Sequence, residues 1–257
     1  MKKKILTTAI ATVFVVGISL ATMSACDNVE RFTYDDAGKY SVGASSVTGK
    51  VTDLEIDWVT GSVSVAYGDV ENVTFSEKSE ETLTEENTVR YWLENSTLHI
   101  KYAKSGVKLS NKNAPEKDLT VVLPTALTLD DLEINSVEAN VSLRNIQAND
   151  VEIDNVAGDL DAAFDSLREF SVSVVSGDAI MRFATAPTDG EYSNVHGDLI
   201  MYLPEGTGFT LEVEKLNGAF ESEFDTVKKG NTYVCGNGAN EYEFETVSGN
   251  VVVKKLA

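Results

Sequence analysis

The pattern apolar-x-apolar-x-x-apolar-x-Gly, written VEIDNVAG from Val151, occurs seven times along this chain. Its copies start at Leu54, Leu132, Val151, Phe170, Gly190, Leu211 and Tyr242, at intervals of 78, 19, 19, 20, 21 and 31 residues. The eighth position holds Gly61, Ala139, Gly158, Gly177, Gly197, Gly218 and Gly249. A repeat near twenty residues with alternating apolar positions is a unit that cannot bury its apolar side alone, so the copies must stack. The expected fold is therefore all-β: a single elongated β-solenoid of parallel strands, in stacked coils of about 19–21 residues.

Two inward ladders follow from the pattern. One is Ile56, Ile134, Ile153, Val172, Tyr192, Val213 and Phe244; the other is the sixth position, Val59, Val137, Val156, Val175, Val195, Leu216 and Val247. The step from Val151 to Ile153 is the strand period, and the shift to Val156 implies a kink or bulge. Glycine at the corner supplies backbone angles closed to other residues. Asp159, Asp178 and Asp198, with Asn140 and Asn250, follow as turn formers. The 78-residue interval is expected to hold further coils in degraded form. Within it residues 89–102 read as two strands around Glu94, Asn95 and Ser96, and LTVVLP at Leu119 echoes LIMYLP at Leu199. The 31-residue interval locates an excursion around residues 228–240.

The N-terminus carries a second signal. MKKK is a basic start, the following eighteen residues are apolar, and the run ends in Met23-Ser24-Ala25-Cys26, which resembles a bacterial lipobox. Residues 1–25 are expected to be a lipoprotein signal peptide, Cys26 the lipidated residue, 26–46 a tether and 47–257 the repeat domain. An uncleaved membrane span is the competing reading, and four Thr and one Ser within the apolar run weigh against it. The expected location is the extracytoplasmic face of the cell membrane, with the membrane as partner through the lipid on Cys26. The other cysteine, Cys235, then has no intramolecular partner, and no adjacent cation lowers its pKa; an inert thiol is expected.

The formal charge is −20, and −23 once residues 1–25 are removed, since that segment carries three lysines and no acid. Such a surface repels nucleic acid, which needs clustered Lys and Arg. The acidic excess itself reads as a solubility feature.

The chain resembles the DUF4097 family of bacterial adhesin-like proteins with β-strand repeats. The carrying features are the V-x-G-(D/N) turns at 156–159, 175–178, 195–198 and 247–250, with the LTVVLP and LIMYLP strands, over roughly residues 47–257. The resemblance implies a β-solenoid, often exported or membrane-attached, and brings no catalytic residues with it. Relatives among envelope-stress genes imply a sensing or regulatory accessory as an alternative role.

Chemistry is sparse in the sequence. The two histidines, His99 and His196, belong to no recognisable triad, cysteine and histidine are too few for a zinc cluster, and no phosphate-binding loop occurs. No cofactor is expected. Asp159, Asp178 and Asp198 would line one edge if coils stack in register, where a cation could relieve their repulsion; a solvated ladder of turn residues is the preferred reading. A glycan-cleaving solenoid stays as a competitor, without a paired-carboxylate motif. The segment 104–118, with Lys104, Lys108, Lys112 and Lys117, is the positively biased exception on an acidic chain. It is the candidate binding loop for an anionic envelope polymer or a membrane-protein partner. The expected function is non-catalytic binding or adhesion at the cell envelope.

Overall fold

The computed structural model describes residues 31–109 and 114–256. It is all-β; the helical content of these residues is one 3-10 turn, Ala37–Lys39. The repeats pair in register as parallel strands. At the first position Leu54 lies beside Leu132, and Val151, Phe170 and Gly190 follow one another. The strand after each corner does the same, from Val63 through Val141, Leu160, Ala179 and Leu199. Stacking turns these apolar positions into ladders: Phe170, Val172, Leu160, Met181 and Leu199 are all at most 4% exposed. Gly190 has no side chain because the Phe170 ring fills its place, with ring carbon Cε1 2.1 Å from where a Cβ would stand.

The uniform parallel stack expected from the sequence is modified in two ways. The first is antiparallel pairing at both ends, which makes the sheet mixed. Rather than several degraded coils, the 78-residue interval supplies one further layer: Thr97–Lys101 and Lys117–Pro124 run parallel to the two halves of Asp53–Gly68. Outside it lie the antiparallel strands Arg90–Glu94 and Thr74–Lys78. The hairpin at 89–102 turns on Asn95 and Ser96, both at positive φ, as the sequence predicts. Residues 31–46, expected as a tether, belong to this cap. Arg31–Phe32 pairs with Val107–Lys108, Ser41–Val42 with Arg90 and Tyr91, and Ser45–Ser46 with Thr74 and Phe75. Phe32 anchors the segment, 7% exposed, with its ring against Tyr34 and Tyr102.

The second modification is the order of coils. The last repeat, Asn240–Ser248 with Val251–Leu256, does not follow the 211 repeat outward. It lies between the 190 and 211 repeats, pairing with Asp189–His196 on one side and Phe209–Asn217 on the other. The excursion explains the reversal: Thr226–Lys229 and Thr232–Cys235 form an antiparallel hairpin that covers Phe209–Glu212. The outer slot is thereby filled, and the returning chain takes the inner one. Cysteines at Ser193 and Glu245, direct register partners, are therefore expected to form a disulfide under mild oxidation. Cysteines at Ser193 and Glu214 stand two strand spacings apart, about 10 Å, beyond disulfide reach, and are expected not to. Mass spectrometry after oxidation separates the two orders.

The inward parity also differs from expectation. The strand period of two continues to the fifth position, so Asn155, Val174, Asn194 and Thr246 point inward, each at most 5% exposed. The sixth-position valines, apart from Val137, are half-buried at the outer corner, and Leu216 is 63% exposed. Asn155, Asn194 and the fifth residue of the first copy, Trp58, are there for a reason. Asn155 Nδ2 donates to the corner carbonyls of Ala139 and Gly158, both at 3.0 Å, and Trp58 Nε1 donates to Lys117 O at 2.9 Å. These side chains satisfy backbone oxygens that the corner takes out of the ladder. A charge placed at Val156 thus meets the corner surface, not the core.

Candidate functional site

Four of the residues singled out in the sequence fall into unexpected roles. Lys117 is not a loop cation: it is 1% exposed and opens a strand. Its ammonium donates to Glu77 Oε2 at 2.7 Å, to Asn87 O at 2.7 Å and to Tyr102 O, and sits 3.9 Å from the Tyr102 ring centre. Asp159, Asp178 and Asp198 do stand in line at the corners, but each spends one oxygen on the neighbouring coil. Asp159 Oδ1 accepts from Asp178 N at 2.9 Å, Asp178 Oδ1 from Asp198 N at 2.8 Å, and Asp198 Oδ1 from Asn250 N at 2.7 Å. This is a hydrogen-bond ladder rather than a converging ligand shell, and among the described residues no three His, Cys, Asp or Glu groups converge as metal ligands. It gives the Asp or Asn of each turn a physical purpose.

Lys104 and Lys108 are exposed. Cys26 and Lys112 lie outside the described residues. Cys235 is buried, its thiol pushed up by desolvation and then by Asp225. His196 is an exposed corner residue.

The regular strands imply an acidic sheet face, but the sequence does not resolve the rows on the outer face of the sheet formed by the first strand of each coil. Outward positions alternate with the core ladders, and register aligns them into rows of carboxylates about 4.8 Å apart. One row runs from His99 through Glu55 to Glu133, and continues with Glu152, Ser171, Glu191, Glu243 and Glu212. A second holds Thr97, Asp53, Asp131, Asp150, Glu169, Asp189 and Glu241. The members from Glu55 to Glu191 and from Thr97 to Asp189 line a shallow groove of about 550 Å³.

Like charges this close raise one another's pKa. Glu133 is held above the usual carboxylate range by burial and by Glu55 and Glu152, against a hydrogen bond from Asn135. Glu152 is raised by burial and Asp154, and Glu245 by burial and then Glu214, Glu243 and Glu191.

One end of the row is aromatic and cationic. Trp92 pairs across the hairpin with His99, and the two rings stack 5.5 Å apart. Tyr40, from the cap segment, lies 5.6 Å from Trp92 and 6.5 Å from His99, its hydroxyl pushed up to about 12 chiefly by burial. His99 Nδ1 meets Glu55 Oε2 at 2.8 Å, and Lys101 bonds Glu55 and, at 2.5 Å, Asp57. Burial alone would raise Glu55, but these two partners outweigh it and bring its pKa to about 2. The same carboxylates hold Lys101 above its ordinary value despite burial. The face thus joins a fixed aromatic platform to a long field of acceptor oxygens.

No protein of curated function matches the chain. Among solved structures it is similar to a putative cell adhesion protein from Clostridium sporogenes, at 16% identity and TM-score 0.49, over 85% of this chain and 99% of that one. A putative adhesin from Bacteroides fragilis is similar at 12% identity and TM-score 0.38, over 85% and 97%. A putative lipid binding protein from Parabacteroides distasonis is similar at 13% identity and TM-score 0.31, over 86% and 98%. The family model Toastrack DUF4097 matches residues 50–254, nearly the whole repeat region. The chain belongs to the Toastrack DUF4097 family.

Proposed function

We propose that this protein is a non-catalytic binding module of the cell envelope, tethered through a lipid on Cys26, with a rigid solenoid whose outer face recognises a cationic, hydroxyl-rich polymer. The observation that carries the reading is the juxtaposition, on one face, of carboxylate rows with the Trp92, Tyr40 and His99 platform. Ionised carboxylates are acceptors only, suited to ammonium and hydroxyl donors. Aromatic faces attract cations. A polymer with an amine on each sugar ring offers both partners repeatedly, and a sheet with one coil every ~4.8 Å offers repeated sites to match. Attachment at Cys26 is tested separately: Cys26→Ala is expected to accumulate as the heavier, unprocessed precursor.

A second reading, glycan cleavage, has one observation in its favour. Glu55 and Glu133 are register partners whose pKa values are driven in opposite directions, the arrangement acid–base pairs use. Against it, His99 and Lys101 hold the two Glu55 oxygens and Asn135 donates to Glu133 Oε1, so the pair is already engaged.

The test uses the chain from Asp27 onward, titrated calorimetrically with glucosamine oligomers and with their N-acetylated counterparts of equal length. The amine form is expected to bind at least about tenfold more tightly, with affinity falling as salt screens the rows. Equal affinity for the two would overturn the reading. Release of shortened oligomers, lost in Glu133→Gln, would establish cleavage instead.

A further inference from the structure

At the cap, away from the acidic rows, Arg31, Lys104 and Lys108 line an open pocket of about 630 Å³ together with Glu86 and Asn87. The three cations come from the two-stranded ribbon that pairs Arg31–Phe32 with Val107–Lys108 and from the turn before it. The ribbon is held to the body: Phe32 packs on Tyr102, Gly106 N donates to Phe32 O at 2.7 Å, and Arg31 Nη1 donates to Gly106 O at 2.7 Å. Lys101, Lys117, Arg144, Arg168 and Arg182 are each ion-paired. Lys104 and Lys108, among the described residues, are not, and both are exposed. Two lysines without an ion pair among the described residues and an arginine, gathered on this ribbon and its turn in a chain this acidic, mark a place for an anion.

Chain length says which anion is near. Four residues, 27–30, separate Arg31 from Cys26. Even fully extended they place this pocket within about 18 Å of the lipidated residue, and in any more compact form closer still. Residues 31–46 are built into the cap, so no long tether carries the domain away from the bilayer. We propose that the Arg31, Lys104 and Lys108 pocket binds the headgroup phosphate of an anionic phospholipid, seating the cap end of the stack on the membrane surface. The proposal rests on the lipid-anchor reading for the nearness of a bilayer. It is independent of what the acidic face binds.

The test is vesicle co-sedimentation of the unlipidated chain from Asp27, which keeps every described residue. Vesicles are phosphatidylcholine alone or phosphatidylcholine with phosphatidylglycerol, and inorganic phosphate is added as competitor. A chain of net charge −23 avoids an anionic surface unless a local basic site holds it there. Binding is expected to the phosphatidylglycerol vesicles only. It should weaken at least about tenfold in Lys104→Glu/Lys108→Glu, with an unchanged melting temperature. Equal binding to both vesicles, or full binding by the double variant, overturns the proposal. Inorganic phosphate that competes at concentrations matching the lipid phosphate shows a general anion site and overturns the lipid assignment. The glucosamine titration is left unchanged by this variant, so failure here and failure of the glycan reading are told apart.

Discussion

Lys117→Ala is expected to be among the most destabilising single changes in this protein, by about 3–5 kcal/mol, the range for breaking a buried ion pair. The ammonium is surrounded by Glu77, two backbone carbonyls and the Tyr102 and Trp58 rings, and the Glu77 side chain is itself only 6% exposed. Removing the cation strands that carboxylate and two carbonyl oxygens out of water. Lys108→Ala, on an exposed ribbon, is expected to shift stability by no more than about 0.5 kcal/mol. Urea melts of the two variants check the contrast.

The same residue gives a pH signature. Burial brings the folded-state pKa of Lys117 down to about 8, with Glu77 opposing, against 10.5 when unfolded. Between those values the unfolded chain binds more protons than the folded one, so the Lys117 contribution makes stability rise with pH from about 8 toward 10. Lys117→Met should lose that rise.

Gly197→Ala is the second large effect. Gly197 has φ +138, and an added Cβ would stand 1.9 Å from Gly177 O, a backbone atom of the coil beneath. Gly249 sits on Gly197 in the same way, and Gly218 on Gly249, each 1.8 Å from the carbonyl below. Strain and collision act together, and the coil spacing cannot open without breaking the ladder on both sides. The expected loss exceeds about 3 kcal/mol, in the tail reserved for core and backbone disruption. Gly106→Ala, at φ +91 with nothing within 4 Å, carries the conformational penalty alone and is expected to lose about 1 kcal/mol. Thermal melts of the pair separate crowding from conformation. Ala139 is tolerated at the equivalent repeat position because the chain there runs straight on inside the strand Leu129–Ala157, without the positive φ of its neighbours.

The first and third repeat positions, the glycine corners and the hairpin at 89–102 could be read from sequence because each follows from local periodicity or turn chemistry. The fifth position could not be read from hydropathy. Asn155 and Asn194 look like solvent-facing residues until the corner carbonyls they serve are in view. Strand parity held the answer there, as it did for Lys117, which alternates inward with Leu119, Val121 and Leu123. The charge of Lys117 masks that parity, and its buried partner Glu77 lies forty residues away. The order of the last two coils is invisible to a repeat pattern, since interchangeable units carry no label for their neighbours. The acidic rows were present in the sequence as alternate Glu and Asp beside the core positions, as in Glu152 and Asp154. Net charge reads as solubility and the regular strands as an acidic surface; register turns that surface into ordered rows on one face.

The most direct test of that face as the binding surface is to neutralise one row while keeping its shape. Glu133→Gln, Glu152→Gln and Glu191→Gln together remove three carboxylates of one row from the groove. Two of them have pKa values already raised by burial and then by neighbouring carboxylates, so folding should be unharmed. Calorimetric titration of this triple variant with glucosamine oligomers is predicted to show affinity reduced by at least about tenfold and a shallower dependence on salt, with the melting temperature unchanged or higher. Wild-type affinity and wild-type salt dependence in the triple variant would contradict the account.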